Sequence, residues 1–145
     1  MCECHCHDNY NLDTLVPMVG IVTDILANAQ IDMRALSLAD TADFGIMRVI
    51  VSDADKARDY LLDNHILARV NHVIAVAIPD EPGSLSKMIN TLSKSGVNIE
   101  YLYAFNKTYK DLVCFVVRVD YNDKACHVLS SNGFKVLCSE DLEIV

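Results

Sequence analysis

The most regular hydrophobic pattern in the sequence spans residues 73–104. Residues 73–78 form an apolar run rich in β-branched side chains, which is typical of a central, buried strand. The apolar positions that follow recur at spacings of three and four residues: Leu85, Met88, Ile89 and Leu92. This spacing predicts one buried face of an amphipathic helix, and residues 97–104 predict a second strand. The segment is therefore predicted to fold as strand, turn, helix and strand.

The turn between the first strand and the helix is marked by residues that interrupt regular structure. Pro79 ends the strand because it has no amide hydrogen to donate to a sheet. Pro82 and Gly83 favour a tight turn, and Ser84 can cap or open the helix. Gly96 can end the helix in a left-handed conformation. Such a unit can hold a small ligand at the helix N-terminus, although the same pattern also fits a strand–helix–strand unit without a ligand.

The first half of the chain shows the same alternation of strands and helices. Asp13 or Thr14 is predicted to cap a helix that has Pro17 in its first turn. The buried stripe of that helix is predicted to consist of Val19, Val22, Ile25, Leu26 and Ala29. Strands are predicted at 31–39, 44–51 and 66–70, and a helix at 54–63. Ser52 and Asp53 are predicted to cap that helix.

The second half continues with elements of the same kind in the same order. We predict a polar turn at 106–110, a strand at 112–119, a helix at 124–131 and a strand at 134–137. The halves align, since 30–33 matches 96–99 and 46–51 matches 112–117, both at an offset of 66. Residues 55–57 match 123–125, and 64–65 match 132–133, each with a slip of two residues.

Each half therefore follows the order βαββαβ, which is the split βαβ of the ferredoxin-like plan. The predicted fold class is α+β, with two ferredoxin-like repeats whose antiparallel sheets carry helices on one face. The predicted domains are residues 1–70, with a degenerate first strand and turn, and residues 71–145. A short linker around Asn71 and His72 is expected to join them.

Composition narrows the function classes. The chain has 145 residues, 52% of them hydrophobic, which is enough for one domain or two small ones. No apolar run reaches the length of a membrane span and the N-terminus does not resemble a signal peptide, so we expect a cytoplasmic protein. The net charge of −8 argues against nucleic acid or an anionic membrane as the main partner.

Cysteines are concentrated at the N-terminus, where residues 1–7 read MCECHCH. In a strand this alternation would place the three cysteines on one face, which fits a first or edge strand. The same residues are also the candidate ligands for a soft metal: Cys2, Cys4, His5, Cys6 and His7. Zinc sites normally use wider spacings such as CxxC, so no metal site is predicted here. Cys114 and Cys126 lie in apolar patterns and are expected to be free thiols in the core.

Residues 78–104, IPDEPGSLSKMINTLSKSGVNIEYLYA, resemble the opening half of an ACT domain. The first turn of such domains typically reads D-x-P-G, and their second strand begins with Asn. Together with the repeat, the sequence resembles a small tandem ACT-domain protein from about residue 12 onwards. The resemblance implies a regulatory module that binds an amino acid at the interface between repeats, where the first turn of one copy faces the second strand of a neighbouring copy.

The resemblance also implies the site residues. These are the turn and helix start, Asp80, Glu81, Pro82, Gly83, Ser84 and Leu85, and the head of the second strand, Asn98 and Ile99. Amides at the start of the helix would bind the carboxylate of an amino acid, and Asp80 or the Asn98 side-chain oxygen would accept from its ammonium group. In the first repeat, residues 15–18 lack the turn glycine and Asp32 stands at the Asn98 position, so one site per chain is expected.

No catalytic motif is present: the sequence lacks a nucleophile elbow, a P-loop, a Gly-rich dinucleotide turn and an HExxH helix. His65 and His72 stand at element ends, where turn or surface roles are expected. We therefore expect no enzyme activity and no cofactor. The expected partners are an amino acid, a second copy of the chain in a homodimer, and an enzyme of amino-acid metabolism. Two alternatives stay open at this point: a metal-binding or thiol-sensing protein, and a structural subunit with vestigial pockets.

Overall fold

Two stretches of the chain, Tyr10–Asn71 and His72–Val145, each fold around a core of their own. The structure, a computed structural model, describes residues 9–16, 19–40, 45–138 and 141. We call Tyr10–Asn71 the first unit and His72–Val145 the second unit. The expected N-terminal strand or metal segment, the position of Pro17, and residues 139–140 and 142–145 near the C-terminus lie outside the described residues.

The first unit has the element order of one repeat. Its elements are β1 (Asn9–Val16), α1 (Val19–Asn28), β2 (Met33–Asp40), β3 (Gly45–Val51), α2 (Ala54–Asp63) and the beginning of β4 (Ala68–Pro79). The strand order is β2-β3-β1-β4, and β3 pairs antiparallel with β1 and with β2. The core lies between the sheet and the two helices and includes Leu12, Val22, Leu26, Met47, Val49 and Leu61. Val22 and Leu26 belong to the predicted helical stripe.

The second unit repeats this order. It contains the remainder of β4, α3 (Ser84–Lys94), β5 (Ile99–Tyr109), β6 (Leu112–Val119), α4 (Asn122–Ser131) and β7 (Lys135–Leu137). The strand order is β5-β6-β4-β7, and all three neighbouring pairs are antiparallel. Ile74, Val76 and Ile78 of β4 pack with Met88 and Leu92 of α3 and Leu129 of α4. The intervening residues of β4 are buried as well, so this strand is central, as its apolar run predicts.

The predicted α+β class with two ferredoxin-like repeats is therefore confirmed. Each unit has the order βαββαβ and carries its two helices on one face of an antiparallel sheet. No helix within the described residues is long and apolar enough to cross a membrane.

The first strand of the first unit departs from the sequence prediction. Asp13 and Thr14 were expected to cap a helix, but both lie inside β1, where they pair with Arg48 and Met47 of β3. Leu12 and Thr14 are buried and Asp13 is half-buried, which is the two-residue period of a strand. The capping prediction is wrong because both residues pair with β3, and the local sequence signals do not reveal this distant partner.

Two strand boundaries are also different from those predicted. Residues 66–70 and 73–78 do not form separate strands, since β4 runs without a break from Ala68 to Pro79 and includes the expected linker. The predicted turn at 106–110 is wrong, because β5 continues to Tyr109 and the turn consists of Lys110 and Asp111. Both turn residues have positive φ, 45° and 66°, as a two-residue hairpin that matches the twist of its strands requires.

The register corrects one part of the repeat alignment. Met33 pairs with Val51 in the first unit, and Ile99 pairs with Val119 in the second. Val51 is therefore equivalent to Val119, so the predicted match of 46–51 with 112–117 is wrong by two residues. The slip of two residues between the repeats therefore arises in the hairpin that joins the second and third strands of each repeat, before the second helix where we placed it.

The ends of equivalent helices share a left-handed backbone. Gly133 follows α4 with φ of 80°, and His65 occupies the equivalent place after α2 with φ of 62°. A side chain strains this conformation by about 1–2 kcal/mol, whereas glycine adopts it freely. The first unit thus carries a strained non-glycine residue where the second unit has glycine.

We expect His65→Gly to raise the free energy of unfolding by about 0.5–1 kcal/mol. The strain energy relieved in the folded state exceeds the free energy by which glycine stabilises the unfolded state through its greater flexibility. The reciprocal change, Gly133→Ala, should lower the free energy of unfolding by about 1 kcal/mol, because it introduces the same left-handed strain. A Cβ at this position would meet no atom within 4 Å, so no packing contact offsets the strain. Urea unfolding of both variants tests this, and a loss of stability with His65→Gly would contradict it.

Candidate functional site

The turn after β4 presents an exposed helix start. Asp80, Glu81, Pro82 and Gly83 are all exposed, and α3 begins at Ser84. Gly83 is the N-cap residue, with φ of 91°, and it has no side chain to cap the helix. The Ser84 amide donates to the Glu81 carbonyl at 3.2 Å, and the Lys87 amide donates to the Gly83 carbonyl at 2.9 Å. The turn is thus held by its own backbone, and the first turn of α3 lacks a side-chain cap.

A cavity of about 640 Å³ lies beside this turn in the second unit. The predicted residues that line it are Glu81, Pro82, Gly83 and Ser84. Its other walls come from the end of β4, the start of β6 and the segment 132–135, which runs from the end of α4 to the first residue of β7. Asp80 does not line the cavity, and Leu85 packs against the core of the unit. Lys87, Phe134 and Lys135 also line the cavity, although no sequence motif marks them as site residues.

Asn98 is exposed, and its backbone is fixed by Asp120. The Asn98 amide donates to Asp120 Oδ1 at 3.1 Å, and the Asp120 amide donates to the Asn98 carbonyl at 3.2 Å. Asp32 and Ser52 make the same two links in the first unit, at 3.2 and 3.0 Å. This pair of hydrogen bonds is therefore a feature of the fold in both units. It involves the backbone of Asn98 and leaves the Asn98 side chain exposed.

The turn and Asn98 lie at opposite ends of the sheet in the second unit. Pro79, just before the turn, pairs with Leu112 at the start of β6, and Ile99, just after Asn98, pairs with Val119 at its end. The seven steps along β6, at about 3.3 Å each, separate the two places by roughly 23 Å. One amino acid cannot contact both within one unit.

The first unit has a smaller cavity of about 380 Å³, lined by Asp13, Thr14, Ile46, Leu67, Ala68 and Arg69. The Asp13 carboxylate accepts from Asn71 Nδ2 at 3.0 Å and lies 3.7 Å from Arg48 Nε. The Thr14 hydroxyl donates to the Leu67 carbonyl at 2.7 Å. Sequence reasoning missed this polar cluster, because its only signal is the alternation Leu12–Asp13–Thr14, which we assigned to a helix start.

The described cysteines do not favour a thiol or metal site. Cys114 and Cys126 are free, buried thiols, as predicted, and the Cys138 thiol donates to Asp141 Oδ2 at 3.3 Å. Burial raises the pKa of the Cys114 thiol, and burial followed by the charge of Asp123 raises the pKa of Cys126 to about 11. These two thiols therefore stay protonated at neutral pH and are poor nucleophiles. Among the described residues no group of three or more metal-ligating side chains occurs.

Comparisons with known proteins agree with this fold. The family model of the ACT domain pair matches residues 14–145. The crystal structure of protein BT0572 from Bacteroides thetaiotaomicron is 35% identical, covers 96% of this chain and 99% of that one, and has a TM-score of 0.85. No curated protein sequence matches the chain.

Regulatory subunits of aspartate kinase share the fold at lower identity. The ligand-free Thermus thermophilus structure is 16% identical, with a TM-score of 0.63 and coverage of 88% of this chain and 94% of that one. The Thermus flavus structure is 17% identical, with a TM-score of 0.61 and coverage of 86% and 92%. The matched family model, together with the repeated βαββαβ units, shows that this chain belongs to the ACT domain pair family.

Proposed function

We propose that this protein is a non-catalytic regulatory module that binds an amino acid at the turn formed by residues 80–85. The observation that carries the proposal is the helix start at Gly83 and Ser84, which lacks a side-chain cap and borders a cavity of about 640 Å³. Amides at a helix start bind carboxylates well because they point at the ligand and carry partial positive charge. Membership of the ACT domain pair family supports a regulatory role.

The polar groups around the turn suit both ends of a zwitterion. Asp80 and Glu81 are exposed carboxylates next to the helix start, and either can accept hydrogen bonds from an ammonium group. The cavity volume is within the range of small-molecule sites, and its remaining lining includes apolar and aromatic residues that could contact a side chain.

We further propose that the module acts as a homodimer. Residues 80–85 and Asn98 are roughly 23 Å apart in the second unit, and each chain provides one copy of each place. A ligand that contacts both must therefore bridge two chains. The regulated partner would be an enzyme of amino-acid metabolism, by analogy with the aspartate kinase subunits that share the fold.

Thermal unfolding in the presence of each of the twenty amino acids tests the proposed function. A ligand at a hundred times its dissociation constant should add about 2.7 kcal/mol, which raises Tm by roughly 5–10 °C in a chain of this size. Glu81→Ala should reduce the shift, whereas Asp24→Ala, an exposed change on α1, should leave it unchanged. The absence of a shift with every amino acid would contradict the proposal and favour a structural subunit.

A further inference from the structure

We propose that the cavity beside the turn selects an acidic amino acid, and that Lys87 is the residue that makes this selection. The inference rests on the proposed function, because it concerns the ligand of the same turn. The whole chain carries a net charge of −8, whereas the described residues that line the cavity include two lysines and one glutamate. A lysine at the cavity whose charge no described carboxylate offsets favours an anionic group of the ligand.

Lys87 holds a cation over the cavity without a carboxylate partner among the described residues. It is exposed on the first turn of α3, and its ammonium lies 5.9 Å from the centroid of the Phe134 ring, which also lines the cavity. A contact with a ring face places the ammonium but neither neutralises its charge nor uses up its three hydrogen-bond donors. Lys87 is therefore available to a carboxylate of the ligand.

Lys135 is less available although it lines the same cavity. Its ammonium lies 3.5 Å from Asp141 Oδ2 and 5.6 Å from the centroid of the Tyr109 ring. The ion pair with Asp141 already offsets its charge, so a ligand would compete with that carboxylate. Of the two lysines, Lys87 is thus the one expected to control charge selectivity.

Glu81 makes an amino acid a better fit than a simple anion. Among the described residues of the lining it is the only acidic one, and its carboxylate can attract an ammonium group. A ligand that carries one ammonium and two carboxylates therefore matches the Glu81 side chain, the helix start and Lys87 at once. Aspartate and glutamate have this set of charges, while asparagine and glutamine have the same shape without the second carboxylate.

Isothermal titration calorimetry with the pairs aspartate/asparagine and glutamate/glutamine tests the inference. In the wild-type protein we expect the acidic member of one pair to bind at least about tenfold more tightly than its amide. Lys87→Gln should remove most of that ratio, and Lys135→Gln should change it by about twofold or less. The matched control is Lys94→Gln, an exposed change in the last turn of the same helix outside the cavity, which should preserve the ratio.

The outcomes separate this inference from the proposed function. If a neutral amino acid binds as tightly as the acidic ones, or if Lys87→Gln keeps the wild-type ratio, the proposed function stands and the inference is overturned. If none of the twenty amino acids binds, both are overturned. A ratio that collapses in Lys87→Gln but persists in Lys94→Gln supports the inference, and circular dichroism of each variant confirms that the fold is intact.

Discussion

Leu61→Ala should lower the free energy of unfolding by about 2–5 kcal/mol, whereas Leu62→Ala should change it by less than about 1 kcal/mol. The two leucines are neighbours on α2, yet Leu61 is 0% exposed in the core of the first unit and Leu62 is 44% exposed. Removing the buried side chain loses its transfer free energy and leaves a cavity. Removing the exposed one mainly changes helix propensity, which slightly favours alanine.

Urea unfolding followed by circular dichroism measures both changes on one scale. The adjacent position is a close control because the chemical change, the helix and the unfolded-state effect are the same. Equal losses for the two variants would contradict the assignment of Leu61 to the core. Such a result would mean that α2 is rotated relative to the sheet, since adjacent residues on a helix face directions about 100° apart.

The helices could be predicted because their signals are local. The three- and four-residue spacing that includes Val22 and Leu26 identified the buried face of α1. Asp53 identified the start of α2, where its Oδ1 accepts from the Lys56 amide at 3.0 Å. Both signals lie within one or two turns of the element they define, so no knowledge of distant partners is required.

The strand boundaries could not be predicted as well because pairing partners decide them. Thr108 and Tyr109 are polar or aromatic residues that we assigned to a turn, but they pair with Val113 and Leu112 of β6. The ladder also shifts register between Ala104 and Thr108, so it continues past an irregularity. A hairpin turn at Lys110 lacks the usual glycine, which removes the strongest local signal for its position.

The candidate site was predictable in part for the same reason. Pro82 and Gly83 mark the turn in the sequence, since both restrict the backbone in recognisable ways. Lys87 and Phe134 are 47 positions apart, and only the packing of α3 beside the segment 132–135 brings them to one cavity. The separation of the turn from Asn98 depends on the length of β6, which sequence motifs do not encode.

Because the turn and Asn98 are so far apart in one unit, defects at the two places in different chains should complement each other in a dimer. We expect Glu81→Ala and Asn98→Ala each to weaken amino-acid binding roughly ten- to a hundredfold, because each removes a hydrogen bond to a charged group of the ligand. Heterodimers with one chain of each type should regain binding. In such a dimer one site combines the two intact halves, while the other combines the two defects.

Co-expression of the two variants with different affinity tags allows the heterodimer to be purified in two steps. Calorimetry should then give wild-type affinity at half of the wild-type stoichiometry, because one site in each dimer is whole. Asp24→Ala in place of Glu81→Ala is the control, and its heterodimer with Asn98→Ala should also retain one whole site. If the heterodimer of Glu81→Ala and Asn98→Ala binds no better than either variant alone, the ligand does not bridge the two chains. The roughly 23 Å between the turn and Asn98 would then mean that a single ligand uses only one of them.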